Sequence, residues 1–242
     1  MDPQTTTQEN GLANVLGQKL HRRKFLLFSG AAASVALVAA TGCKKDDNPG
    51  TGNNTDGVDL GSGDTGILNY AYALEQLEAA FYTQVIATPF TDMTASEKAL
   101  LTDIRDHEIV HREFFKNALK SAAIPGLTVN FSAINFTDRT SVLSTAKAFE
   151  DLGVAAYNGA GKLITEPAYL VLAGKIVSVE ARHAAWIRDL MENGSFADLA
   201  SLSALGANAG SGLDAALDPK DVLPIAQTFL TTKITAGNLP TA

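Results

Sequence analysis

The chain contains a single cysteine, Cys43, among 242 residues, which excludes an internal disulfide and any metal site built from several thiolates. Positive charge is also scarce: 19 Lys and Arg stand against 26 Asp and Glu. Four of the basic residues, Lys19, Arg22, Arg23 and Lys24, lie before residue 43, so the remainder holds 15 basic and 24 acidic residues, a net charge of -9. Such a surface repels nucleic acid and anionic lipid alike. No apolar run reaches the about 20 residues that a membrane-spanning helix needs. The longest, FLLFSGAAASVALVAA at residues 25–40, has 16. With 46% hydrophobic residues the composition does not suggest collagen, a coiled coil or wholesale disorder, and it is sufficient for one sizeable core.

What the N-terminus does have is the order of an export signal: basic residues, an apolar stretch, then small residues. HRRKFL (21–26) resembles the twin-arginine motif of bacterial signals, with His21 where Ser or Thr is usual, and ATGC (40–43) resembles a lipobox, with Ala40 where Leu is commoner. The resemblance implies cleavage before Cys43, acylation of its thiol, and residence in the bacterial cell envelope, in the periplasm or at the outer membrane, with the membrane as partner through the lipid. Residues 1–42 are thus read as a cleaved signal and 43–64 as a lipidated tether, since KKDDNPGTGNNTDGVDLGSGDTG (44–66) has almost no apolar side chains. GSGDTG (61–66) matches the dinucleotide pattern GxGxxG, but with no strand expected before it and no βαβ unit after it, the match carries no weight.

From about Thr65 the apolar residues recur at helical spacing. Four helices are expected, near 65–87, 95–122, 139–164 and 167–193. Thr94 and Glu97 form a capping-box pair at the start of the second, Pro167 falls in the first turn of the fourth, and Gly194 lies just past its end. The chain repeats itself. Leu100, Ile104, Glu108, His111, Phe115 and Leu119 have the spacing of Leu172, Ile176, Glu180, His183, Ile187 and Met191, and ALEQLEAAFY (73–82) aligns with AFEDLGVAAY (148–157). Short joints make antiparallel pairs of helices one and two and of three and four, while the irregular segment 123–138 is long enough to cross the bundle. The predicted fold is therefore all-α, a four-helix bundle over 65–193 with one long crossover, followed by an extension, 194–242. Residues 195–216 carry no legible chemistry; they are left as cover for a bundle end or as a partner-binding stretch.

Each repeated stripe should face the core, yet each carries a Glu and a His at its centre. A Glu and a His at i and i+3 share a helix face, so one helix can offer a carboxylate and an imidazole to the same ion. Glu75 and Glu150, matched in the other helix pair, can bridge or terminate such a cluster. Two divalent cations balance four carboxylates, whereas without metal four close carboxylates must take up protons or repel. An oxygen-rich shell with two imidazoles suits iron first and manganese next, and zinc by affinity, with little to favour copper.

LEQLEAAFY (74–82), HEIVHREFF (107–115), FEDLGVAAY (149–157) and VEARHAAWI (179–187) resemble the ferritin-like superfamily, in particular its exported desiccation-related and rubrerythrin-like members. The resemblance implies metal ligands at Glu75, Glu108, His111, Glu150, Glu180 and His183, with Tyr82 and Tyr157 as hydrogen-bonding neighbours, and LDPKDVLPIAQTFL (217–230) is similar to the short terminal helix of that group. Glu78 competes with Glu75; the repeat pairs Glu75 with Glu150 but Glu78 with Gly153, which assigns Glu75 to the metal and Glu78 to its surroundings. His107 is read as a surface residue or a neighbour of the site, and Trp186 and Phe114 as core packing. No Cys-rich electron-delivery module is present. Three classes of function stay open: an oxidoreductase of ferroxidase, peroxidase or catalase type acting on dioxygen or peroxide, an iron-binding or sequestering protein, or an envelope-attached bundle whose metal site is structural or vestigial; a homodimer is left open. A hydrolase is disfavoured because a bundle interior leaves little open cleft.

Overall fold

A computed structural model describes residues 57–241; Cys43, the twin-arginine stretch and the apolar run lie outside these residues. Helix α1 spans Gly63–Ala87, α2 Ala95–Leu119, α3 Arg139–Gly161, α4 Pro167–Met191 and α5 Pro219–Gln227. Two-residue strands β1 (Val58–Asp59) and β2 (Ile234–Thr235) pair in parallel. Among the described residues no helix is long and apolar enough to cross a membrane.

The helix starts follow their local chemistry. Thr94 Oγ1 accepts the Glu97 N–H at 3.1 Å while Glu97 Oε2 accepts the Thr94 N–H at 2.9 Å, so the expected capping box opens α2. Asp138 caps α3 by accepting the Ser141 N–H at 2.6 Å. Pro167 opens α4 where its missing N–H costs nothing, and Asp64 of α1 accepts the N–H groups of Thr165 and Glu166 just before it, each at 2.8 Å.

Helix α1 packs along α2 and α3 along α4, with α1 against α3 between the pairs. The crossover runs the length of the bundle. At one end Asn69 of α1 donates to Ala122 O at 2.9 Å and accepts the Ile124 N–H at 3.0 Å; at the other, Thr91 past the end of α1 donates to Thr137 O at 3.0 Å. Between them Phe131 and Phe136 pack on Phe81 of α1, which itself meets Phe149 of α3 edge-on. The fold is the four-helix bundle with one long crossover that the periodicity predicts, and it is the helical bundle that the ferritin-like resemblance implies.

Regular structure begins earlier than the tether reading allowed. Val58 and Asp59 form a strand, Leu60 is fully buried, and α1 starts at Gly63, because Asn69 Nδ2 donates to Leu60 O at 3.1 Å and β2 offers a pairing edge from the far end of the chain. A strand therefore does precede GSGDTG, although its partner is β2 from the chain's last residues and no βαβ unit results. The second stripe is buried only in its middle, and the first only from Ile104 to Leu119. Leu100, Leu172 and Met191 are 39%, 37% and 38% exposed, since the elements packed on α2 and α4 do not reach their outer turns; Tyr169, Leu170 and Val171 are exposed beside Leu172.

The extension after α4 is anchored to α3. Residues 195–197 and 199–205 form short 3-10 turns, Leu202 and Ala215 pack on Ala155, and Leu217 N–H donates to Ala155 O at 2.9 Å. The Leu217 carbonyl passes so close to Gly159 that a Cβ there would stand 1.8 Å from its oxygen, which is why α3 carries glycine at this turn. Helix α5 is shorter than the 217–230 expected, closed in by Pro219 and Gln227.

Candidate metal centre

All six expected residues meet at mid-bundle. Glu75 from α1, Glu108 and His111 from α2, and Glu180 from α4 bring one ligand atom each within 4.8 Å of one another; Glu108, Glu150 from α3, Glu180 and His183 do the same. Glu108 and Glu180 belong to both groups. Two ions, one in each group, would share Glu108 and Glu180, while Glu75 and Glu150 would each serve one. Glu75, Glu108 and Glu150 are fully buried and Glu180 is 1% exposed.

His111 reaches across the bundle rather than along its own helix, while His183 contacts a carboxylate across the bundle and the one on its own helix. His111 Nδ1 lies 2.8 Å from Glu180 but 3.6 Å from Glu108, and His183 Nδ1 lies 2.8 Å from Glu108 and 3.1 Å from Glu180. Two tyrosines close the ends. Tyr82 OH donates to Glu150 Oε1 at 2.5 Å, and Tyr157 OH donates to Glu75 Oε1, so each tyrosine serves the glutamate of the opposite repeat.

This arrangement is electrostatically costly for the protein alone. Burial, then the neighbouring Glu180, raises Glu75 and Glu108, and burial raises Glu150 despite its contact with His183. Burial also raises Glu180, but both imidazoles outweigh it and hold this carboxyl below the usual range. His183 is pushed up to about 12 and His111 is also raised: burial opposes this, and the surrounding carboxylates overcome it. Even so, Glu75 Oε2, both oxygens of Glu108, Glu150 Oε2, Glu180 Oε1 and His111 Nδ1 are buried without a well-directed hydrogen-bond partner among the described residues. Buried oxygens left this way cost several kcal/mol each in principle unless a charge completes them. Oxygen donors with one imidazole per group form a set that could hold a divalent metal ion.

Glu78 lies beside the cluster, not in it. It is buried, its carboxyl pushed well up by burial and by Glu108 and Glu150, and its Oε1 would stand 3.1 Å from a Cβ on Gly153. The repeat thus has glycine where Glu78 needs room. His107 is exposed, as read, yet it reaches inward to His183. Trp186 and Phe114 pack against the core.

Sequence reasoning missed a second buried polar group one residue from the site. Asp151 follows Glu150 on α3 and binds Arg188 of α4 through two contacts of 2.8 and 2.9 Å, and Arg188 continues to Ser201 at 2.8 Å. Its counterpart in the first repeat, Gln76, accepts the Leu127 N–H at 2.8 Å. In each repeat the residue after the central glutamate holds a neighbouring segment, the crossover in one case and α4 with the extension in the other. A polar residue next to a core glutamate on a buried helix was the available signal.

The family model described as a ferritin-like domain matches residues 63–193, and the chain belongs to that family. No curated protein matches it. The buried glutamate and histidine groups fit a metal-binding member.

Proposed function

We propose that the protein is an exported, lipid-anchored member of the rubrerythrin-like and desiccation-related type, holding two iron or manganese ions and reacting with dioxygen or peroxide in stress protection. The observation that carries the reading is the pair of four-residue groups sharing Glu108 and Glu180: four carboxylates match the charge of two divalent cations, and both Glu-x-x-His turns contribute. Bound iron or manganese would supply one electron per ion, two in all, to a small oxidant. The chain's own residues do the rest. Glu75 and Glu150 are fixed in orientation by Tyr157 and Tyr82, whose hydroxyls donate to them. Burial keeps bulk water from the carboxylates, and His111 and His183 each supply one neutral nitrogen once their protons leave. An apolar groove lined by Ile67, Leu74, Phe115, Tyr157, Ala160 and Ala173 includes the tyrosine that donates to Glu75, a lining suited to a small uncharged oxidant.

The test is a stopped-flow assay on protein loaded with ferrous iron. Consumption of dioxygen or peroxide in step with iron oxidation, abolished in a Glu108→Ala, Glu180→Ala variant, is the expected outcome. Loaded protein that oxidises no faster than iron in buffer sinks the redox reading and leaves a metal that ties helices together.

A further inference from the structure

The internal repeat relates the two halves of the centre, but one half has a contact that the other lacks. His183 turns Nδ1 toward Glu108, Glu150 and Glu180, at 2.8, 3.4 and 3.1 Å. Its other nitrogen, Nε2, lies 2.9 Å from Nδ1 of His107, with the rings near parallel at 12° and their centroids 5.2 Å apart. Because Nδ1 faces the carboxylates, Nε2 is the nitrogen that keeps its proton when Nδ1 becomes a ligand, and it donates to His107 Nδ1. His111 also turns Nδ1 to the carboxylates, but among the described residues no hydrogen bond reaches its Nε2. The residue matching His107 in the repeat is Val179, which has no side-chain acceptor.

An imidazole whose distal N–H is held is fixed in tautomer and ring orientation and is a stronger ligand, and losing such a partner typically costs about 10- to 100-fold in metal affinity. We infer that His107 is a positioning residue for His183 and makes the two metal positions unequal, the one formed by Glu108, Glu150, Glu180 and His183 filling first. This rests on the di-metal reading above. It also gives His107 a purpose: the residue is exposed, yet its hydrogen-bond partner is a buried ring on a different helix.

The test is titration of the metal-free full chain with Mn(II), followed by the paramagnetic resonance of free Mn(II) and by calorimetry. The wild type is expected to bind in two steps. His107→Ala weakens the tighter step by about 10- to 100-fold and merges it with the second; His107→Gln, whose amide oxygen still accepts from Nε2–H, keeps most of the separation; Val179→His tightens the weaker step. Two equal steps in the wild type, or a His107→Ala titration that overlays it, overturn the inference while leaving the di-metal reading intact. Absence of any Mn(II) uptake overturns both. Nitrogen-15 resonances of the metal-free protein give a separate reading: a slowly exchanging His183 Nε2–H that disappears in His107→Ala is expected, and its absence from the wild type contradicts the contact itself.

Discussion

Asp151 and Arg188 form the buried pair whose disruption has the clearest expected cost. Both are buried, with guanidinium nitrogens at 2.8 and 2.9 Å from the two carboxylate oxygens. Removing one charge strands the other away from water, which typically costs about 3–5 kcal/mol, whereas replacing both by apolar residues of similar size is often neutral. Asp151→Asn is therefore expected to lower the urea midpoint strongly, and Asp151→Leu with Arg188→Met to recover most of the loss. A single variant as stable as the parent would show that the pair is not desolvated. The glutamates of the centre are expected to behave differently, because bound cations would remove their cost. Addition of Mn(II) or ferrous iron at about 100 times the dissociation constant should stabilise the protein by about 2.7 kcal/mol, seen as a rise in Tm that the Glu108→Ala, Glu180→Ala variant does not show.

The start of α2 ties local sequence to a pH dependence. Partial burial raises Glu97, but the Thr94 N–H and the Arg139 guanidinium outweigh it and hold the carboxyl below its ordinary value of 4.5. A lowered carboxylate contributes stability above pH 4.5 and loses it as pH falls through the lower folded value. In chelator-treated protein, Glu97→Gln should be roughly 1 kcal/mol less stable at neutral pH, with the gap narrowing in acid; a gap that widens below pH 4.5 contradicts the sign. This capping box was legible because all its members lie within four residues. The Glu-x-x-His turns were legible for the same reason, and the repeat supplied their mates. What depends on distant contacts was not: that Tyr82 serves Glu150 and Tyr157 serves Glu75, that His107 reaches His183, and that Asp151 finds Arg188 on another helix. Leu60 and β1 were assigned to a polar tether because their partners, Asn69 and β2, come from later in the chain, and the ends of the apolar stripes were read as core because periodicity reports a face and not how far its cover extends.

For the molecule as a whole, the bundle brings six candidate ligands together from four helices, and the proposed anchor would hold that bundle at a membrane. Cys43 is the residue on which the anchoring rests. Mass spectrometry of the N-terminal peptide from cells expressing the chain should show an acylated Cys43 with residues 1–42 removed, and Cys43→Ser should release the protein into the soluble fraction; an unprocessed N-terminus contradicts the export reading without touching the metal centre. The central claim is that the mid-bundle cluster holds two ions, and elemental mass spectrometry of protein purified without chelator, beside the Glu108→Ala, Glu180→Ala variant, tests it most directly. About two iron or manganese ions per chain, lost in the variant, is the predicted result. A parent that stays metal-free after reconstitution and is no more stable than the variant would contradict it and leave the six residues as a relic of the fold.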